Sequence, residues 1–133
     1  MDVKKTLRQY RPALLYAVKC FRELDEVRNE YLQSPKLDGM PKAGGEYSLD
    51  IKLARLDALE KRAEKARNKA LEYAESIERM IDVLDEYASK TVIKQRYIYG
   101  ESWAKIATLL HYSESTVKRI HGRAIDELRR KGF

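Results

Sequence analysis

Ser115, Thr116, Lys118, Arg119 and Arg123 fall within the stretch "SESTVKRIHGRA", interleaved with Val117, Ile120 and Ala124. These side chains could do one kind of chemistry together. A serine or threonine hydroxyl donates or accepts at a base edge, an arginine pairs bidentately with guanine, and lysine or arginine neutralises a phosphate. Arg129, Arg130 and Lys131 come two to three helical turns later, where only the sugar-phosphate backbone of double-stranded DNA is within reach. The charge balance agrees. Residues 1–88 hold 17 Lys/Arg and 17 Asp/Glu, whereas residues 89–133 hold 10 and 4, so the whole net charge of +6 sits in the last third. A polyanion-binding surface is expected there and a neutral, charge-rich element before it.

Other chemistries find little support. The single cysteine, Cys20, cannot form an internal disulfide, and with His111 and His121 it offers no spacing for a zinc site. Cys20 reads as a small buried hydrophobe of a helix core. There is no P-loop and no nucleophile with a matching base, and the carboxylates lie on solvated helical faces, so neither an enzyme nor a cofactor or metal is expected. No apolar run approaches the roughly 20 residues that span a bilayer, and the N-terminus has no apolar segment before a small-residue cleavage site. A cytoplasmic protein with no membrane partner is expected.

Three regions must position these residues. Leu14, Ala17, Val18, Phe21, Leu24, Val27 and Tyr31 recur every three or four positions, which predicts an amphipathic helix over about 12–33. Pro12 stands in its first turn or kinks a helix beginning near Asp2. "QSPKLDGMPKAGGEYS" reads as a connector, 34–48, with Ser48 as the N-cap of a second helix. From about 49 to 88 there is no Gly or Pro. A stripe through Ile51, Ala54 or Arg55, Ala58 or Leu59, Arg62 or Ala63, Ala66, Ala70, Ala74, Ile77, Ile81, Leu84 and Ala88 predicts one helix about 55–60 Å long. Its stripe exceeds what a small neighbour can cover. Residues 1–88 are therefore expected to form a helical hairpin or coiled-coil arm that makes a homo-oligomer.

Residues 89–133 read as a three-helix unit. A first helix with Val92, Ile93, Arg96, Tyr97 and Ile98 stops before Gly100. Ser102 caps a second, with Trp103, Ile106, Ala107 and Leu110 on one face. His111 occupies the turn position that favours positive φ, and Tyr112 beside it is read as packing inward. Ser113 caps a third helix whose buried stripe is Val117, Ile120, His121, Ala124 and Leu128. Two short helices joined so tightly, the second basic outside, are the pattern of a helix-turn-helix.

"RYIYGESWAKIATLLHYSESTVKRIHGRAIDEL" resembles region 4 of bacterial sigma factors, the module that binds the −35 promoter element. Arg96–Tyr97, Gly100, Ser102, Trp103, Ile106–Ala107, Leu110, Ser113, Thr116–Val117 and Ala124 fall where that pattern places them, with His111 in place of the usual turn glycine. The aromatic-basic segment of sigma region 2 has no counterpart, so a complete sigma factor is not expected. Together with "SPKLDGMPKAGG" ahead of a long helix, the chain is similar to the small phage and prophage late transcriptional regulators grouped as ArpU/RinA-like. The resemblance implies an all-α transcriptional regulator that recognises a promoter-like element through its third region-4 helix, with RNA polymerase as a second partner. Two alternatives stay open. One is a DNA-packaging protein of the small-terminase type, and the other is a module whose region-4-like fold contacts RNA polymerase rather than DNA.

Overall fold

The computed structural model describes residues 2–33 and 45–133, with only the backbone described for 45–48. Among the described residues five α-helices occur in order: α1 (Val3–Gln33), α2 (Gly45–Val83), α3 (Tyr87–Ile93), α4 (Trp103–Leu110) and α5 (Glu114–Arg130). A π-helical turn, Lys94–Ile98, extends α3. No strand occurs among the described residues. By contacts the chain divides into Leu14–Asn68 and a unit that joins Met1–Ala13 to Lys69–Phe133. No helix among the described residues is long and apolar enough to cross a membrane.

Helix α1 starts at Val3 with Pro12 inside it, the longer of the two helices the sequence leaves open. Asp2 caps the helix, its carboxylate accepting from Lys5 N at 3.4 Å, and Val3 and Leu7 are fully buried. Their burial outweighs the backbone hydrogen bond that Pro12 removes. Helix α2 starts at Gly45, so Ser48 lies within it rather than at its cap, while residues 34–44 of the expected connector lie outside the described residues. Helix α2 ends at Val83, not Ala88, and the next helix begins at Tyr87.

Within Leu14–Asn68 the two helices run antiparallel. The register is fixed by pairs in opposite chain order: Arg67 over the Phe21 ring at 5.9 Å, Arg62 with Glu23 at 3.9 Å, Arg28 with Glu60 at 2.8 Å, and Lys52 over Tyr31 at 5.2 Å. These pairs are exposed and contribute little energy each. Burial of Ala17, Cys20, Leu24 and Val27 against Leu59, Ala63 and Ala66 does more. Cys20 is core, as its isolation in the sequence predicts. The seam on α2 passes through Lys52, Leu56, Leu59, Ala63 and Ala66, a strict alternation of four and three residues. Ile51, which the sequence stripe includes, is therefore exposed, because a 3.5-residue period drifts away from the 3.6-residue one used to trace the stripe.

The second unit has two cores. Val3, Leu7, Ile77, Met80, Leu84, Ile93, Tyr97, Ala124, Ile125 and Leu128 form one, so α1, α2, α3 and α5 all contribute. Val92, Ile106, Ala107, Val117 and Ile120 form the other, under Trp103 and Leu110. The first core crosses residue 88. By contact, residues 1–13 and 69–88 group with the C-terminal helices.

Candidate nucleic-acid interface

The turn between α4 and α5 is built from local groups alone. His111 adopts φ 60 and ψ 39, the left-handed conformation expected of it, and is the one described non-glycine residue with positive φ. Its N–H donates to Thr108 O at 3.3 Å, and Tyr112 N donates to Ala107 O at 3.0 Å, which satisfies two of the four carbonyls orphaned at the end of α4. Ser113 then caps α5, its hydroxyl accepting from Thr116 N at 3.2 Å. Ser102 caps α4 in the same way through Lys105 N. Tyr112 stands 47% exposed instead of packing inward. The first helix of the module stops as expected, with Gly100 at φ +70. Before it the backbone widens into a π turn, where Tyr99 N donates to Lys94 O at 3.2 Å and Glu101 N to Gln95 O at 2.9 Å.

Helix α5 buries Val117, Ile120, Ala124, Ile125 and Leu128, with His121 half-buried at the edge of this stripe. Ser115, Lys118, Arg119, Gly122 and Arg123 are exposed on the other side, and Thr116 is half-buried beside them. The Ser115 hydroxyl lies 3.2 Å from Ser113 Oγ, and Thr116 Oγ1 accepts from Ser113 at 2.9 Å. Both hydroxyls thus belong to the capping network of the helix and remain at its outward N-terminal end. Lys118 and Arg119 enter no ion pair among the described residues. Arg123 and Arg130 share a shallow cleft with Glu86, Asp126 and Glu127, and Arg129 lies 3.8 Å from Asp126. Gly122 meets no atom within 4 Å of the position a Cβ would take, so nothing in the chain itself requires glycine at that exposed site.

Lys131 does not stand with the other cations. Its ammonium donates to Asp85 at 3.0 Å, to Glu127 at 3.1 Å and to the carbonyl of Val83, and the Asp85 and Glu127 carboxylates raise its pKa. Glu127 in turn accepts from Asp85 N at 3.0 Å. The C-terminus of α5 therefore caps the end of α2 and the entry to α3, and Lys131 is committed to that joint. The sequence places Lys131 among the phosphate contacts; in the structure its ammonium is engaged at this joint by two carboxylates and a carbonyl.

A cluster the sequence does not reveal lies beside α4. The Tyr97 hydroxyl and His121 Nε2 share a hydrogen bond of 2.6 Å, and Trp103 meets the His121 ring edge-on with centroids 5.0 Å apart. The Arg96 guanidinium lies 4.3 Å from the Trp103 ring and donates to Glu101 O at 3.0 Å. Burial, with Lys4, Arg96 and Arg8 nearby, lowers the His121 pKa to about 4. His121 is thus neutral at physiological pH. Its folded pKa lies below its unfolded one, so the stability linked to the neutral ring is present above about 6.5 and is lost as pH falls through about 4.

The comparisons agree with the geometry. Residues 81–130 match the family model described as Sigma-70, region 4. Neither curated proteins nor solved structures yield a match to the chain. The matched segment runs from Ile81 in α2 to Arg130 and includes both caps, the left-handed turn and the whole basic face of α5. It is a helix-turn-helix of the DNA-binding kind. Residues 1–80 lie outside the match.

Proposed function

We propose that this protein is a sequence-specific transcriptional regulator of the phage or prophage late-regulator type, reading a promoter-like element through α5. One observation carries the reading. The capped N-terminal half of α5 presents Ser115, Thr116, Lys118 and Arg119 together, with Lys118 and Arg119 exposed beside the bare surface of Gly122. In the helix-turn-helix docking geometry that half of the second helix meets base edges, and the preceding helix crosses the backbone. The missing side chain at Gly122 suits close approach of a base pair or sugar. Arg123, Arg129 and Arg130 lie further along and serve backbone phosphates.

The test is a band-shift series on cognate and scrambled duplexes, with the cognate site found by footprinting around the gene. Arg119→Ala should cost about 1–3 kcal/mol on the cognate site and much less on scrambled DNA. Replacing Arg129 and Arg130 together should weaken both duplexes alike and flatten the salt dependence. An unchanged cognate-to-scrambled ratio in Arg119→Ala would remove α5 from the groove. Protection of a packaging site rather than a promoter would favour the small-terminase reading.

The reading includes a homo-oligomer formed through the hairpin. Leu15, Tyr16, Val18, Leu32, Leu49, Ile51 and Leu53 are large apolar side chains left exposed within Leu14–Asn68. An apolar surface of that extent favours a partner. Sedimentation of the full chain at tens of micromolar should give a dimer or larger species, and a strict monomer would sink this part of the proposal.

A further inference from the structure

The second unit contains a cleft of about 460 Å³ whose charged lining is arginine alone. Arg8 and Arg11 come from α1, Arg96 comes from the π turn, and Trp103 and His121 form the wall between them. Each arginine is placed without being neutralised. Arg11 Nη1 donates to Ile98 O at 3.3 Å, and its guanidinium lies over Gly100 so closely that a Cβ there would come within 2.8 Å of Nε. Arg96 is held by the carbonyl of Glu101 and by Trp103. The carboxylate of Glu101, whose carbonyl holds Arg96, pairs with Lys105 at 3.2 Å. Arg8 is exposed, and no hydrogen bond or ion pair of its side chain occurs among the described residues. Carbonyls fix the orientation of a guanidinium but leave its charge uncompensated.

We propose that this cleft binds a backbone phosphate of the same duplex that α5 reads, so that the first turns of α1 belong to the DNA interface. The inference rests on the DNA-binding reading above and extends it to residues outside the segment matched to region 4. Its position carries the argument. Trp103 is the first residue of α4, the helix that crosses the backbone in this docking geometry. His121 stands three residues beyond Lys118 and next to Gly122, on the flank of the exposed face of α5. Three guanidiniums that converge without a carboxylate suit a phosphate, whose oxygens accept from several N–H donors at once. Burial is the main cause of the lowered His121 pKa, and Lys4, Arg96 and Arg8 push it further the same way, as uncompensated cations around the cleft must.

The experiment uses the full chain and three variants. Arg8→Gln/Arg11→Gln empties two sides of the cleft, Arg55→Gln/Lys65→Gln removes the same charge from exposed positions on α2, and Arg119→Ala reports on α5 itself. Affinity for duplex DNA is measured between about 50 and 200 mM salt, and melting curves identify any variant that fails to fold. The cleft variant should bind about 5–10-fold more weakly on cognate and scrambled DNA alike and lower the slope of log K against log salt by about 0.9 per phosphate lost. The α2 variant should match the parent. Should the cleft variant prove unstable, Arg8→Gln alone, at an exposed residue, must still lower the slope. A folded cleft variant with parental affinity and slope overturns the inference while leaving the DNA reading intact if Arg119→Ala remains defective. An equal loss in the α2 variant overturns it too, since general charge would then explain the effect. Inorganic pyrophosphate that raises the melting point of the parent but not of the cleft variant, with DNA slopes unchanged, would overturn it by assigning the cleft to a free phosphate ligand. If the parent binds no duplex at all, the DNA reading fails and this inference falls with it.

Discussion

Two helix breaks in this chain are made in opposite ways. Between α4 and α5 the chain turns at His111 using the Ala107 and Thr108 carbonyls, the His111 and Tyr112 amides and the Ser113 hydroxyl, all within ten residues. Between α2 and α3 it turns at Leu84–Glu86 with no glycine, no proline and no side-chain cap from Glu86. There the exposed backbone groups are satisfied from α5, by Glu127 on Asp85 N and by Lys131 on Val83 O. The first break is encoded where it occurs. The second is held in part from afar, by groups that lie 42 and 48 residues away.

The largest effect expected from this difference concerns a fragment. Residues 89–133 contain the helix-turn-helix and its turn intact, yet they lack Val3, Leu7, Ile77, Met80 and Leu84, which share a core with Ile93, Tyr97, Ile125 and Leu128. Loss of a single large core side chain costs about 2–5 kcal/mol, and a domain is stable by only about 5–15 kcal/mol. The isolated fragment should therefore show weak helical circular dichroism and no cooperative melt, whereas the full chain should melt cooperatively. A cooperative transition in the fragment would mean that the helix-turn-helix stands on its own short-range contacts, and the contrast between the two breaks would lose its force.

The same contrast explains what the sequence could and could not disclose. Ser102, Gly100, His111 and Ser113 were legible because caps and positive-φ turns depend on residue type within a few positions. The apolar faces of α4 and α5 were legible for the same reason, as was the outward placement of Ser115, Lys118, Arg119 and Arg123. The end of α2 was not, because an uninterrupted run of good helix formers contains no local signal to stop at Val83. Nor was the arginine cleft. Arg8 and Arg11 look like any solvated pair on an amphipathic helix until α1 packs near Arg96, about 85 residues away. The setting of Lys131 was not legible either: it comes directly after Arg129 and Arg130 in a basic run, and only the fold brings Asp85 and the Val83 carbonyl to its ammonium beside Glu127. Buried long-range partners leave no trace in charge composition.

A pair of single substitutions compares the two breaks directly. Glu127→Ala removes the acceptor of Asp85 N and one partner of Lys131 from a carboxylate only 14% exposed. It should cost about 1.5–3 kcal/mol through the lost hydrogen bonds to a charged group. Ser113→Ala removes one cap at a solvated turn and should cost about 1 kcal/mol. Denaturant titrations of both variants read the two losses. Hydrogen exchange should locate the first at residues 84–90 and the second at 113–117. An effect of Glu127→Ala confined to the end of α5 would show that the α2–α3 joint holds itself.

The smallest expected effect is at His111. A non-glycine residue in the left-handed region carries strain of about 1 kcal/mol, which His111→Gly would relieve. Glycine also gives the unfolded chain more freedom, at a cost of about 0.4–1 kcal/mol. The two nearly cancel, so His111→Gly should shift stability by only about half a kcal/mol or less, leaning towards stabilisation, with DNA affinity unchanged. No comparable exchange exists at Leu84–Glu86, where no described residue has positive φ to relieve. A loss above about 1 kcal/mol on His111→Gly, read by urea titration, would mean that the exposed imidazole holds the α4–α5 turn through contacts of its own. The turn would then not be set by backbone conformation, and the two breaks would be less different than their hydrogen bonds make them.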